Sequence, residues 1–131
     1  MKVFEPLPAE IETLAAQAVD ASIKVHRALG PGLLESVYQT CLAYELRKRG
    51  LKVDTQVRLP VVYDGMCLEA GLRLDLLINK QLVVEVKAVE QMNRIFKAQV
   101  LTYLKLSNLR LALLINFNVP LLRDGLDRVI R

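Results

Sequence analysis

Two stretches in the second half of the chain limit its fold more than anything else in it. "LRLALLINF", residues 109–117, is apolar at nearly every position, and "QLVVEVKAV", residues 81–89, comes close. Neither is long enough to cross a membrane, which takes roughly 20 residues as a helix. An unbroken apolar strand has to be covered rather than solvated. From Ala9 to Leu29 apolar residues recur at helical spacing, at Ile11, Leu14, Ala15, Ala18, Val25 and Leu29. "GPG" at 30–32 ends that helix, because Gly suits a C-cap and Pro cannot continue the turn. A second helix is predicted from about Leu33 to Arg49, with Leu34, Val37, Cys41, Leu42, Ala43 and Leu46 on its apolar side and Gly50 as its stop.

The pattern then becomes extended. "LKVDTQVRLPVVY" alternates in part, and "DG" at 64–65 marks a turn. "CLEAGLRLDLLI" and "QLVVEVKAV" read as strands around a turn at 79–81. Helical spacing returns from about Asn93 to Leu106, with Ile95, Ala98, Leu101, Tyr103 and Leu104 as its apolar positions. "LRLALLINF" is the next strand, and "RDGLDRVIR" suits a short edge strand. Two helices, three strands, a helix and a strand make an α/β fold, a mixed sheet with helices packed on it. No repeat or linker divides the 131 residues, the usual size of one domain.

A hydrophobic share of 53% excludes a disordered or fibrous chain. The N-terminal "MKVFEPLPAEIE" lacks the apolar stretch of a signal peptide, so a cytoplasmic protein with no membrane association is expected. Cys41 and Cys67 fit no metal spacing and read as buried, reduced thiols. The net charge of +4 allows an anionic partner without requiring one. The cluster Arg47, Lys48, Arg49 closes a helix, where cations suit the dipole anyway. His26, the only histidine, reads as a hydrogen-bonded residue near the end of the first helix.

The anomaly lies in "VVEVK". Alternation sends Glu85 and Lys87 to one face and Val84, Val86 and Ala88 to the other. Charges in a buried strand are costly unless paired or bound to an ion. If the turn after Ile78 uses Asn79, Lys80 and Gln81, register sets Asp75 opposite Glu85. A two-residue turn would break that pairing. Opposed residues hold their Cβ atoms about 5 Å apart, which is unfavourable for two carboxylates unless a cation or a proton sits between them. Asp75 and Glu85 can then hold Mg²⁺ or Mn²⁺, hard cations that take oxygen ligands. Lys87, on the same face, can orient or help deprotonate an attacking water, or steady charge growing on a phosphate. Singly, plainer readings serve: Asp75 and Glu85 as salt-bridge partners of Arg73 and Lys87, Glu35 as a first-turn acid, Gln99 as a solvated residue, Tyr103 as core.

Asp75 followed by Glu85-Val86-Lys87 resembles the D…(D/E)xK signature of the PD-(D/E)XK nuclease superfamily. "GLLESVY" at 32–38 is similar to the signature of its GxxExxY family, through Gly32, Glu35 and Tyr38, and "GLRLD", "VEVKAVE", "AQVLTYLK" and "LALLINF" follow in that family's order. The resemblance runs from about Val25 to Arg131. It implies a restriction-endonuclease-like αβββαβ core with an extra N-terminal helix. It further implies Glu35 as a third acid at the metal site, Gln99 positioning a water or Lys87, and Tyr103 and Tyr38 in contact with substrate. Gln99 and Tyr103, four apart, share a helical face. Phe96-Lys97 departs from the pattern, since many relatives carry a His there. The implied activity is metal-dependent hydrolysis of phosphodiester bonds in DNA, less so RNA. The competing reading is a catalytically silent nuclease-fold module that binds nucleic acid or a protein, and a small enzyme of this kind gains contact surface as a homodimer.

Overall fold

The computed structural model describes residues 5–131; the first four residues of the N-terminal stretch lie outside it. Helix α1 (Ala9–Leu29) opens with Glu10 and Glu12 in its first turn and closes on Gly30. Acids at the start of a helix and Gly past its end are both favourable. Helix α2 (Glu35–Lys48) lies against it, and the alanines at 18 and 21 of α1, fully buried, let the two axes approach closely.

The sheet begins with β1 (Val53–Arg58). It is followed by β2 (Val61–Tyr63) and β3 (Met66–Leu68), joined by Asp64-Gly65 with both φ positive, as a two-residue hairpin turn of this type requires. These two form a separate ribbon. Sequence alternation suggested that β1 and β2, and likewise β3 and β4, were single long strands. They are interrupted instead, at Leu59-Pro60 and at Glu69–Leu72. Pro60 has no N–H to give a ladder. β4 (Arg73–Ile78) and β5 (Leu82–Lys87) follow, then α3 (Arg94–Ser107), β6 (Leu111–Asn116), a single 3-10 turn at Leu122–Gly125, and β7 (Leu126–Ile130). The main sheet runs β1-β4-β5-β6-β7, with only β5 and β6 parallel. β7 is the edge strand foreseen in the tail.

Helices cover both faces. Leu82, Val84 and Val86 of β5 and Leu111, Leu113 and Ile115 of β6 face α1 and α2, while Val83, Ala112 and Leu114 face α3. This is why β6 reads as an unbroken apolar run and β5 nearly so. α3 is capped by the Asn93 side chain, which accepts from Ile95 N–H at 2.9 Å, and it ends at Asn108 in the left-handed region. It buries the stripe of Val100 and Leu104, with Phe96 and Tyr103 half-buried beside them. Ile95 and Leu101, expected on that face, are exposed; Leu101 lies one residue, about 100°, round the helix from Val100. On α2, Leu34 and Val37 are likewise exposed, because the face toward the sheet is that of Tyr38, Leu42 and Leu46. Cys41 is half-buried and Cys67, on the projecting ribbon, is exposed, so neither is the buried thiol expected. No helix of the described residues is long and apolar enough to cross a membrane.

Candidate active site

The turn between β4 and β5 uses Asn79, Lys80 and Gln81, with the first two at positive φ. That length sets Ile78 opposite Leu82, Leu77 opposite Val83 and Leu76 opposite Val84. One step further along the same register Asp75 meets Glu85. There the ladder stops and side chains take over from backbone carbonyls. Asp75 N–H donates to Glu85 Oε1 at 3.0 Å, and Val86 N–H donates to Asp75 Oδ2 at 2.9 Å. Each carboxylate thus satisfies a backbone donor on the other's strand.

The other flank of β4 breaks at the same point. β1 pairs Thr55 with Leu76 and Val57 with Leu74, but Gln56, opposite Asp75, is skipped and sits at φ 51°. A non-glycine residue in the left-handed region costs on the order of 1–2 kcal/mol. Its effect is to turn the strand pair over. Val53 and Leu76 belong to the α1/α2 side of the sheet, whereas Val57 and Leu74 join the α3 side. Asp75 stands at the crossover. The Gln56 side chain is turned to α2, where its amide donates to Gln39 Oε1 at 2.8 Å.

Glu85 is 5% exposed. Burial, then the neighbouring Asp75 charge, pushes its carboxyl up to about 9 from an ordinary 4.5. Neither acid forms an ion pair with Arg73 or Lys87, so the simple salt-bridge account fails. Lys87 lies on the α3 side, its ammonium 4.4 Å from the centroid of the Phe96 ring, within cation–π range. Phe96 belongs to the Phe96-Lys97 pair that departs from the expected pattern, and no sequence signal linked it to Lys87. Tyr103, half-buried on α3, has its hydroxyl pushed above the usual range, first by burial and then by the charges of Glu85 and Asp75. Gln99 is exposed one turn earlier.

Glu35, at the start of α2, reaches the end of β5, where its Oε1 accepts from Ala88 N–H at 3.3 Å. It does not complete a three-acid cage: among the described residues no three His, Cys, Asp or Glu side chains are placed together to hold a metal ion. The donors that do converge, two carboxylates, are hard oxygen ligands, and their mutual repulsion is what a divalent cation would relieve. The donor chemistry therefore fits Mg²⁺ or Mn²⁺, with two protein ligands.

Tyr38 does not face a substrate. It is fully buried, stacked on Phe117 at 4.6 Å between ring centroids, and its hydroxyl donates to Gly30 O at 2.6 Å while accepting from Leu33 N–H at 3.1 Å. It fixes the GPG turn instead. His26 is held as expected, its Nε2–H donating to Val119 O at 2.7 Å. Sequence reasoning also passed over Asn116, opposite Lys87 in the parallel pair. Its amide accepts from Val89 and Asn118 N–H, each at 3.1 Å, and donates to Val89 O at 2.9 Å, pinning the chain that leaves the Glu85–Lys87 strand. A lone Asn within "LALLINF" was the available signal.

A family model described as the PD-(D/E)XK nuclease superfamily matches residues 12–129. No curated protein and no solved structure matches the chain.

Proposed function

The chain belongs to the PD-(D/E)XK nuclease superfamily, and from that premise we propose that it is a divalent-metal-dependent nuclease that hydrolyses phosphodiester bonds in DNA. One observation carries the reading: Asp75 and Glu85 converge across β4 and β5 where regular pairing stops, with Lys87 on the same side of the sheet. Asp75 and Glu85 would hold Mg²⁺ or Mn²⁺. When bound, such an ion supplies Lewis-acid stabilisation of the phosphoryl oxygens and makes water more acidic.

The remaining work falls to the protein's own groups. Lys87 Nζ, an ammonium steadied over Phe96, donates to the phosphate and orients the attacking water. Tyr103 has its hydroxyl protonated throughout the neutral range and so can donate to a phosphate oxygen. Gln99, on the same face of α3, positions the water or Lys87. Glu35, tethered at Ala88, is an outer acid, available to a cation's water shell rather than to the cation itself.

The test is calorimetric titration of Mn²⁺ into the protein and into Asp75→Asn, followed by incubation of each with plasmid and single-stranded DNA. Metal binding and cleavage, both lost in the variant, are the expected result. Metal binding with no cleavage of DNA or RNA under any condition would favour the silent-module reading. Absence of metal binding, with DNA present as well as absent, would refute the assignment of the acid pair.

A further inference from the structure

An open cavity of about 520 Å³ lies beside the GPG turn, walled by Arg27, Gly30 and Pro31 at the end of α1 and by Leu121 and Arg123 after β6. It sits at the catalytic end of the sheet. Phe117 N–H donates to Lys87 O at 2.9 Å, so the segment that forms its far wall leaves β6 level with Lys87. Its near wall is tied to the acids through α2, since Tyr38 grips Gly30 and Leu33 while Glu35 reaches Ala88.

No carboxylate lines this cavity. Arg27 is exposed and has no ion-pair or hydrogen-bond partner among the described residues. Arg123 touches Asp124 only at 3.9 Å, with its side chain 81% exposed. His26 is committed to Val119 O. Two exposed guanidiniums facing one cleft, the Arg123 group only loosely paired with Asp124, suit an anion with several oxygens, which a planar fork binds in pairs.

The turn itself is rigid, with Gly30 and Gly32 at positive φ and the Tyr38 hydroxyl holding both of its arms. Yet that rigid turn keeps Leu34 74% exposed and Leu33 41% exposed, directly before Glu35. Two exposed leucines directly before Glu35 offer an apolar surface on which a flat base can rest.

Resting on the nuclease reading, we infer that Arg27 and Arg123 form a subsite for a backbone phosphate flanking the scissile one, with Leu34 meeting the face of the adjoining base. The substrate strand then passes from Lys87 and the acid pair over the start of α2 and down to the cavity. Apolar side chains set against base faces beside phosphate-binding arginines are a general solution for nucleic acid.

The experiment uses the full chain in a Lys87→Ala background, so that binding is read without cleavage, and measures fluorescence anisotropy of short labelled DNA and RNA, single-stranded and duplex, over a salt series. Arg27→Ala with Arg123→Ala should weaken binding about tenfold and make the slope of log K against log salt shallower by roughly one, for the one lost phosphate contact. Leu34→Ser should weaken binding several-fold with the slope unchanged, since no charge is removed. Both arginines are exposed, so thermal unfolding should not move. If the double variant binds with the parent's affinity and slope, the subsite is wrong while the nuclease reading stands. If the background protein binds no nucleic acid at all, both fall, and the separate Mn²⁺ titration then shows whether the acid pair still holds a metal.

Discussion

Glu85→Gln should make the protein more stable, and by an amount that grows with pH. Folding raises the Glu85 carboxyl from an ordinary 4.5 to about 9, through burial and then through the Asp75 charge. Between those values the folded chain holds a proton that the unfolded chain has released, so stability falls as pH rises. Stability is full below about 4.5, is lost progressively, and levels off above about 9. One whole proton corresponds to about 1.4 kcal/mol per pH unit, so about three units between pH 5 and pH 8 give an upper figure of about 4 kcal/mol. Glutamine cannot ionise, and its amide can donate to Asp75 much as the protonated acid does. Its carbonyl can still accept from Asp75 N–H. The melting temperatures of parent and variant should therefore nearly coincide at pH 5, and at pH 8 the variant should melt higher by as much as roughly 10 °C, at about 3 °C or more per kcal/mol for a domain of this size. The assay is thermal unfolding by circular dichroism across that range, without divalent metal and then with Mn²⁺. Metal should raise the parent at pH 8 and leave the variant in place, since a cation replaces the proton that keeps the two acids together. A gap that is the same at both pH values, or a parent that is the more stable at pH 8, would refute the argument.

Other consequences follow from particular contacts. Mn²⁺ affinity, measured by calorimetry in buffers of different ionisation enthalpy, should rise between pH 6 and 8 with a proton released on binding, because Glu85 must ionise to become a ligand. Lys87→Ala should leave folding and metal binding near those of the parent and abolish cleavage; cleavage at the parent's rate would remove Lys87 from its role. Tyr38→Phe should cost about 1–3 kcal/mol in a denaturant titration, since the Leu33 N–H and Gly30 carbonyl both lose their partner. Gln56→Val, which strand propensity alone would favour, should instead destabilise by roughly 2 kcal/mol, because a β-branched side chain is poorly accommodated at φ 51°.

Most of the fold is legible in the chain because it depends on short-range regularities. The pleat sends Val84 and Val86 to one layer and Glu85 and Lys87 to the other. Asn79 and Lys80, both at positive φ, make the three-residue turn whose length sets the register of Asp75 against Glu85. What could not be read depends on choices made between distant segments. Nothing local distinguishes Gln56 from an ordinary strand residue, since its left-handed backbone is imposed by the crossing of β1 and β4 between two cores. Tyr38, expected to meet substrate, is instead buried against Phe117 with its hydroxyl on the turn eight residues earlier, a contact between segments that helical spacing does not fix. Nothing in the spacing of α3 links Phe96 to Lys87, whose ammonium lies over its ring. Regular register already sets Asp75 and Glu85 opposite each other on one face; what the interrupted ladder adds is an unpaired backbone N–H on each strand, which the other strand's carboxylate accepts. The ladder fails at Asp75, toward Gln56 on one side and toward Glu85 on the other. The left-handed backbone at Gln56 coincides with the point where β4 passes from one core to the other, and Asp75 stands at that point.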